Sequence, residues 1–426
     1  MTNKKFKLAA MSLATAVAVS AVGPSASAVT YYLGDGSVTV DKDDTRGAYS
    51  YQGEDGSEEH RTYVNEDEAD HGVINVKGGN APTEDVLPST DNSDNGTEET
   101  TPTDTTTDSS GNNAENSPTA ETTTGNTITV KEDVKGATIV VDGVNVDTSD
   151  TSTQTDTPAE VPADTKEDKT IIKVGEGADV DLTVKDSNLT TGGNGIDIGV
   201  NLEGEDENIG ANVDLTLDNT KINLTQNGKA GVNVQDNSDV DLTLKDKNTI
   251  DGSEAIKKEE DGILTKNVNV EGIRVGDGGA SDGSGTSESA NTKLTISGGV
   301  EKTETAETDT EETESPAGGS LTINETTGGL VMADGSDVEI TDGADVTIED
   351  TKTSGATQAG RGVTQHGDLT ISGGSSLTID GVEDNAKQAS HTGIGIASWD
   401  DITVEDGSTL DISDATTGIY GHQGSD

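Results

Sequence analysis

Asp337-Val-Glu-Ile340 and Asp345-Val-Thr-Ile348, then Asp368-Leu-Thr-Ile371 and Ser376-Leu-Thr-Ile379, then Asp401-Ile-Thr-Val404 and Thr409-Leu-Asp-Ile412, are three copies of one paired unit. The units recur at spacings of 31 and 33 residues, from Asp337 to Asp368 to Asp401. Each pair follows a third apolar segment opened by glycine: Gly329-Leu-Val-Met332, Gly362-Val-Thr-Gln365 and Gly393-Ile-Gly-Ile396. Within an arm the apolar residues alternate, so Leu369 and Ile371 share one face and Asp368 and Thr370 the other. Three short strands per fixed period define an all-β fold, a β-solenoid, in which each coil buries its aliphatic face only by stacking on its neighbours. The stack is expected to place Val338, Leu369 and Ile402 at one level, Val346, Leu377 and Leu410 at a second, and Val363, Ile394 and Ile419 on the third arm. Gly374-Ser375, Asp406-Gly407 and Asp342-Gly343 supply the positive φ that tight corners need.

Working backwards, Val180-Asp-Leu-Thr-Val184, Val213-Asp-Leu-Thr-Leu217 and Val240-Asp-Leu-Thr-Leu244 repeat the same arm. The coils start near Asn126, which gives about eight of them and a rod on the order of 40 Å long. At the other end Gly418-Ile-Tyr420 opens a further arm before the chain stops at Asp426. A solenoid end left bare exposes its stack and its strand edges. The expectation is a truncated chain, whose natural form continues with more coils and a downstream surface anchor.

Residues 1–28 read as an export signal: Lys4, Lys5 and Lys7 precede an apolar run from Leu8 to Val22, and Ala26-Ser27-Ala28 is a small-x-small cleavage site, with cleavage after Ala28. The run is short for a membrane span, so the mature chain is expected to be secreted, extracellular, at the cell surface or wall. Residues 29–81 hold Tyr31, Tyr32, Tyr49, Tyr51 and Tyr63 in short alternating runs and read as an N-terminal β cap or first coil. Residues 82–125 are low-complexity, acidic and Thr/Ser-rich, and cannot offset their ordering entropy; they are expected to be disordered. The same holds for insertions near 148–169, 278–292 and 301–318 within the solenoid of 126–426.

Composition narrows the function. The 82 acidic and 26 basic residues leave a formal charge of -56, which excludes nucleic acid as a partner and disfavours anionic lipid. Aromatics are 2% and cysteine is absent, so disulfides, thiolate metal sites and cysteine nucleophiles are excluded.

The repeated Leu-Thr-Ile arms with Gly-Gly-Ser corners, as in Leu369-Thr-Ile-Ser-Gly-Gly-Ser375, resemble the stalks of bacterial secreted surface proteins described as adhesin-like or pectin-lyase-like. That resemblance covers 126–426. It implies a right-handed parallel β-helix and a non-catalytic scaffold that binds surfaces, cell-surface glycans or host surface proteins.

The alternative is a polysaccharide lyase or glycoside hydrolase of the same fold. Asp400-Asp401 and His391-Thr-Gly-Ile-Gly-Ile-Ala-Ser398 resemble a polygalacturonase-like pair of motifs, but in the wrong order and without an Arg-x-Lys element. Trp399 is the sole indole; it either covers a corner beside His391 or contacts a ligand. Trp399, His391, Asp400 and Asp401 are therefore the candidate contact residues, with no catalytic residue assigned. The five histidines show no metal-ligand spacing, and no resident cofactor is expected. Gly192-Gly-Asn-Gly-Ile-Asp-Ile198 resembles one turn of a calcium-binding nonapeptide repeat but has no tandem neighbour. Weak, diffuse calcium binding by the acidic surface is the wider expectation.

Overall fold

The computed structural model describes residues 29–35, 37–41, 48–52, 59–63, 73–79, 122–149, 169–202, 209–260, 269–276, 291–299, 318–352, 360–383 and 393–422. The expectations for residues 1–28, for most of 82–125 and for the insertions near 148–169, 278–292 and 301–318 fall outside them, as does His391. Among the described residues the strands form three sheets, of ten, twelve and nine strands. One coil shows the path. Asp179–Lys185 lies in the ten-stranded sheet, Asn188–Thr191 in the nine-stranded sheet and Ile196–Val200 in the twelve-stranded sheet. Asn212–Asp218 then returns to the ten-stranded sheet beside Asp179–Lys185, parallel and in register. The fold is a right-handed parallel β-helix with three strands per coil.

Register follows the sequence repeat. Val180, Val213 and Val240 are paired in succession, as are Val338, Leu369 and Ile402, and Val346, Leu377 and Leu410. These aliphatic columns fill one continuous core. The third arm differs from expectation in its last coils: Val363 pairs with Ile396 and then Ile419, while Ile394 pairs with Arg361 and Thr417. Two glycines, Gly393 and Gly395, offer the same alternation two residues apart. Gly395 is the one in register, because it continues the column of Gly231, Gly272, Gly329 and Gly362.

That glycine column is demanded by space. A Cβ at Gly362 would lie under 3.0 Å from an Ile379 methyl and from the Gly395 carbonyl oxygen, and Gly272, Gly329 and Gly395 meet the same two kinds of atom. At this corner the isoleucine of one sheet occupies the volume a third-arm side chain would need. The Asp-Gly corners use glycine differently, through φ of 73° at Gly343 and 77° at Gly407.

Toward the N-terminus, Val29–Tyr32 and Val73–Lys77 are parallel neighbours in the ten-stranded sheet, so part of 29–81 belongs to the solenoid. Ala48–Gln52 extends the twelve-stranded sheet antiparallel to Val38–Val40, and Glu59–Tyr63 adds a further strand antiparallel to Ala48–Gln52. Thr123–Thr124 is a strand within the stretch expected to be disordered. A helix that the repeat pattern does not announce, Ser253–Glu260, starts where the Asp251 carboxylate accepts the Ser253 N–H at 3.0 Å, and it buries Ala255 and Ile256. In the last described coil Ile402, Leu410 and Ile412 are partly buried, while Ile419 and Tyr420 are about half exposed.

In-register stacking also aligns like charges. Asp181, Asp214 and Asp241 are successive partners on the outer face of the ten-stranded sheet. Partial burial, followed by Asp181 and Asp241, holds the Asp214 carboxyl above the ordinary carboxylate value. Asp218 is raised by burial and by Asp246 and Asp186, against Lys245 and Lys185. A raised native pKa means that the folded state holds protons the unfolded chain has released, so stability falls as pH rises from the unfolded value of 3.8 through the raised values.

Two predictions follow from this packing. Gly362→Ala lowers stability by about 1–3 kcal/mol, the cost of overpacking, although its φ is ordinary; urea unfolding checks this, and an unchanged midpoint contradicts the steric account. Stability is higher as pH falls from neutral toward 3.8, and Asp214→Asn raises stability at neutral pH by about a few tenths of a kcal/mol, as fits an exposed cross-strand pair. Calorimetry across pH decides, and a midpoint that rises with pH refutes it.

Candidate functional site

Three of the four sequence candidates meet at one corner, where the chain leaves the twelve-stranded sheet for the ten-stranded sheet. The corrected register explains the meeting. His366, Trp399 and His422 each stand four residues past the aligned glycines Gly362, Gly395 and Gly418. They therefore occupy one outward column in three successive coils. Coils repeat at about 4.8 Å, close to the separation of stacked rings. The His366 and Trp399 rings are 4.1 Å apart with planes at 11°, and Trp399 and His422 are 5.3 Å apart at 21°. Tyr420 meets His422 edge-on at 6.5 Å. Main-chain bonds carry the ladder: Trp399 N–H donates to the Gln365 carbonyl at 3.0 Å, and His422 N–H to the Ser398 carbonyl at 2.8 Å.

This geometry bears on the reading of Trp399. Both indole faces are covered by imidazoles, so the ring presents an edge to solvent, and a sugar has no free indole face to stack on. The ring does cover a corner, with His366 and His422 as its neighbours. Reading Gly393 as the arm-opening residue hid this column.

Beside the ladder, Asp368 joins Asp400 and Asp401: one oxygen from each lies within 4.8 Å of the others, and all three groups are on the surface. Asp368 was not among the sequence candidates, although its pairing with Asp401 through the Leu369–Ile402 register would have disclosed it. Beneath them the Gln365 side-chain amide donates to the Gly367 carbonyl at 2.7 Å and the Asp401 carbonyl at 2.6 Å, and the Ser398 hydroxyl donates to the Asp400 carbonyl at 2.6 Å. Partial burial, then Asp400 and Asp337, push the Asp368 carboxyl up, with the Asp401 N–H pulling it down. Chemically the cluster offers a proton shared among carboxylates, or three hard oxygens to a cation where calcium usually takes six to eight.

Burial holds the His366 imidazole below its ordinary value; Asp334 pulls it up, while Arg361 and His422 push it down.

The nonapeptide-like stretch is put to another use. The Asp197 carboxylate accepts the Asn194 amide at 2.8 Å, the Asn233 amide at 2.7 Å and the Gln235 amide at 2.9 Å. Its oxygens face N–H donors.

No family model, curated protein or solved structure matches this chain. Among the described residues no helix is long and apolar enough to cross a membrane.

Because Trp399 is the sole tryptophan, its emission reports the ladder directly. Fluorescence should show a component with a midpoint below the ordinary histidine value of about 6.5, lost in His366→Leu and moved lower in Asp334→Asn. A wild-type titration indistinguishable from His366→Leu would contradict the stacked geometry.

Proposed function

We propose that the chain is a non-catalytic scaffold, secreted or at the cell surface and adhesin-like, that binds surfaces or glycans. The observation that best supports this is the monotony of the outer face of the ten-stranded sheet. Asp181, Asp214 and Asp241 form one column and Thr183, Thr216 and Thr243 the next. The face repeats one chemistry over these three coils, and Thr295, Glu339, Thr370 and Thr403 keep the first column polar beyond them, which suits an extended, multivalent contact. The parallel β-helix and the acidic charge agree with a stalk kept soluble outside the cell. The export-signal reading of residues 1–28 supplies the route. Partners of this kind are cell-surface glycans or host surface proteins. No resident cofactor is needed; calcium binds diffusely to the acidic columns.

A second reading rests on one observation, the Asp368, Asp400 and Asp401 cluster with a raised Asp368 carboxyl. Glycoside hydrolysis uses a pair of carboxyl groups, one of them raised enough to act as the acid. Against that reading, the three groups stand on a surface corner, where nothing excludes water from a reacting bond.

One experiment separates the two. The protein is incubated with polysaccharides while reducing ends, unsaturated products and retention on the insoluble substrate are followed. The scaffold reading expects retention without product, unchanged in Asp400→Asn. Product formation that Asp368→Asn, Asp400→Asn or Asp401→Asn reduces by about 100-fold or more establishes the enzyme instead.

A further inference from the structure

Arg274 and Arg361 lie in parallel arms of the twelve-stranded sheet, in opposite surroundings. The Arg274 Nε–H is taken by Glu271. Arg361 stands in the column of Glu271 two coils on, between Gly328 on one side and Ile394 on the other. Neither neighbour offers a carboxylate. Among the described residues the Arg361 guanidinium has no ion pair and no side-chain hydrogen bond. Burial lowers its titration, and no acidic group among those residues raises it.

An arginine stays charged at any pH that proteins meet, and a partly buried charge without a counter-charge is costly. In a chain with 82 acidic residues a counter-charge is readily supplied, as it is to Lys131, Lys185 and Lys221. Arg361 is without one, yet it keeps part of its surface in water, where a ligand can reach it. Its charge is felt just past the end of its own strand: Arg361 pushes the His366 imidazole down, while Asp334 pulls it up.

We propose that Arg361 binds the carboxylate of a single acidic unit on an otherwise neutral glycan. The planar guanidinium fork matches a carboxylate through two parallel N–H···O bonds. The formal charge of -56 repels a polyanion. Remote charges are screened over about 8 Å in physiological salt, so one isolated carboxylate meets chiefly the groups nearest to Arg361. The inference rests on the glycan-binding reading and names the group that the glycan presents.

Calorimetric titration of the full chain with sodium glucuronate, glucose or sodium sulfate, at matched ionic strength, tests it. Glucuronate is expected to bind saturably and glucose not to bind. Affinity falls about tenfold or more in Arg361→Gln and is unchanged in Lys293→Gln on the ten-stranded sheet. Trp399 fluorescence gives a second readout. A carboxylate on Arg361 cancels the push on His366, so glucuronate moves the midpoint up; Arg361→Gln has the raised midpoint without ligand and no further movement. Circular dichroism verifies folding. Should Arg361→Gln not fold, Arg361→Lys keeps the charge but loses the fork; weaker binding is expected, and unchanged affinity overturns the inference. No glucuronate binding, or binding that Arg361→Gln leaves intact, overturns it too. Sulfate bound as tightly as glucuronate overturns the assignment to a carboxylate. Retention on insoluble neutral polysaccharide without glucuronate binding overturns this inference alone, whereas absence of both removes the glycan reading with it.

Discussion

Parallel in-register stacking is the constraint from which the rest of this molecule follows. Each coil lies about 4.8 Å above the last, so every side chain meets the residue at the same position one coil away. Aliphatic residues profit, because Val338 on Leu369 on Ile402 extends one column without change of chemistry. The twelve-stranded sheet contributes glycine at its corner because the isoleucines of the nine-stranded sheet already fill that volume, and a single Cβ there would displace backbone as well as side chain. A chain with 2% aromatics can therefore build a dry core. It needs no large side chains, only the right small and branched ones in sequence.

The same constraint works against charge. Columns that repeat aspartate place like charges as nearest neighbours, and the raised Asp214 and Asp368 carboxyls express that repulsion together with partial burial. Some columns escape by alternation: Asp142, Lys185, Asp218 and Lys245 succeed one another, with the Lys185 ammonium 3.2 Å from Asp142. Exposure keeps the energies small on both sides. Charge on this surface is better understood as governing solubility and choice of partner than as holding the fold together.

What was legible in the sequence divides along the same line. The period, the two-residue alternation and the register of the first two arms follow from residues that repeat, so Val180, Val213 and Val240 could be aligned by eye. The third arm was misaligned at Gly393 because glycine at every second position preserves the alternation while shifting the register by two. That one slip concealed the His366, Trp399 and His422 column. The helix at Ser253–Glu260 and the strand Thr123–Thr124 lie where no repeat guides the reading. Asp400 and Asp401 were found as a local pair, but Asp368 enters only through register, one coil away. The Asp197 network escaped for a related reason. Its members, Asn194, Asn233 and Gln235, come from two coils, and each is unremarkable alone.

In a repeat protein the residues that obey the pattern are explained by the pattern, and chemistry must be sought in those that break it. Glu271 takes a place held in other coils by Ala230, Gly328, Arg361 and Ile394, and it is fully buried there. Burying an ion pair contributes little to stability compared with an apolar residue of similar size. Stacking does not require Arg274 or Asp197, since the coils beyond them manage with Val331, Thr364 and Ala397 in the same outward column. By that standard the ring ladder is the weaker departure. Its three rings satisfy one another by stacking, while the Gln365 Oε1 beneath that corner and the Asn233 Oδ1 are both buried without a hydrogen-bond partner among the described residues. A buried acceptor without a partner is costly, and stacking alone gives no reason to retain one.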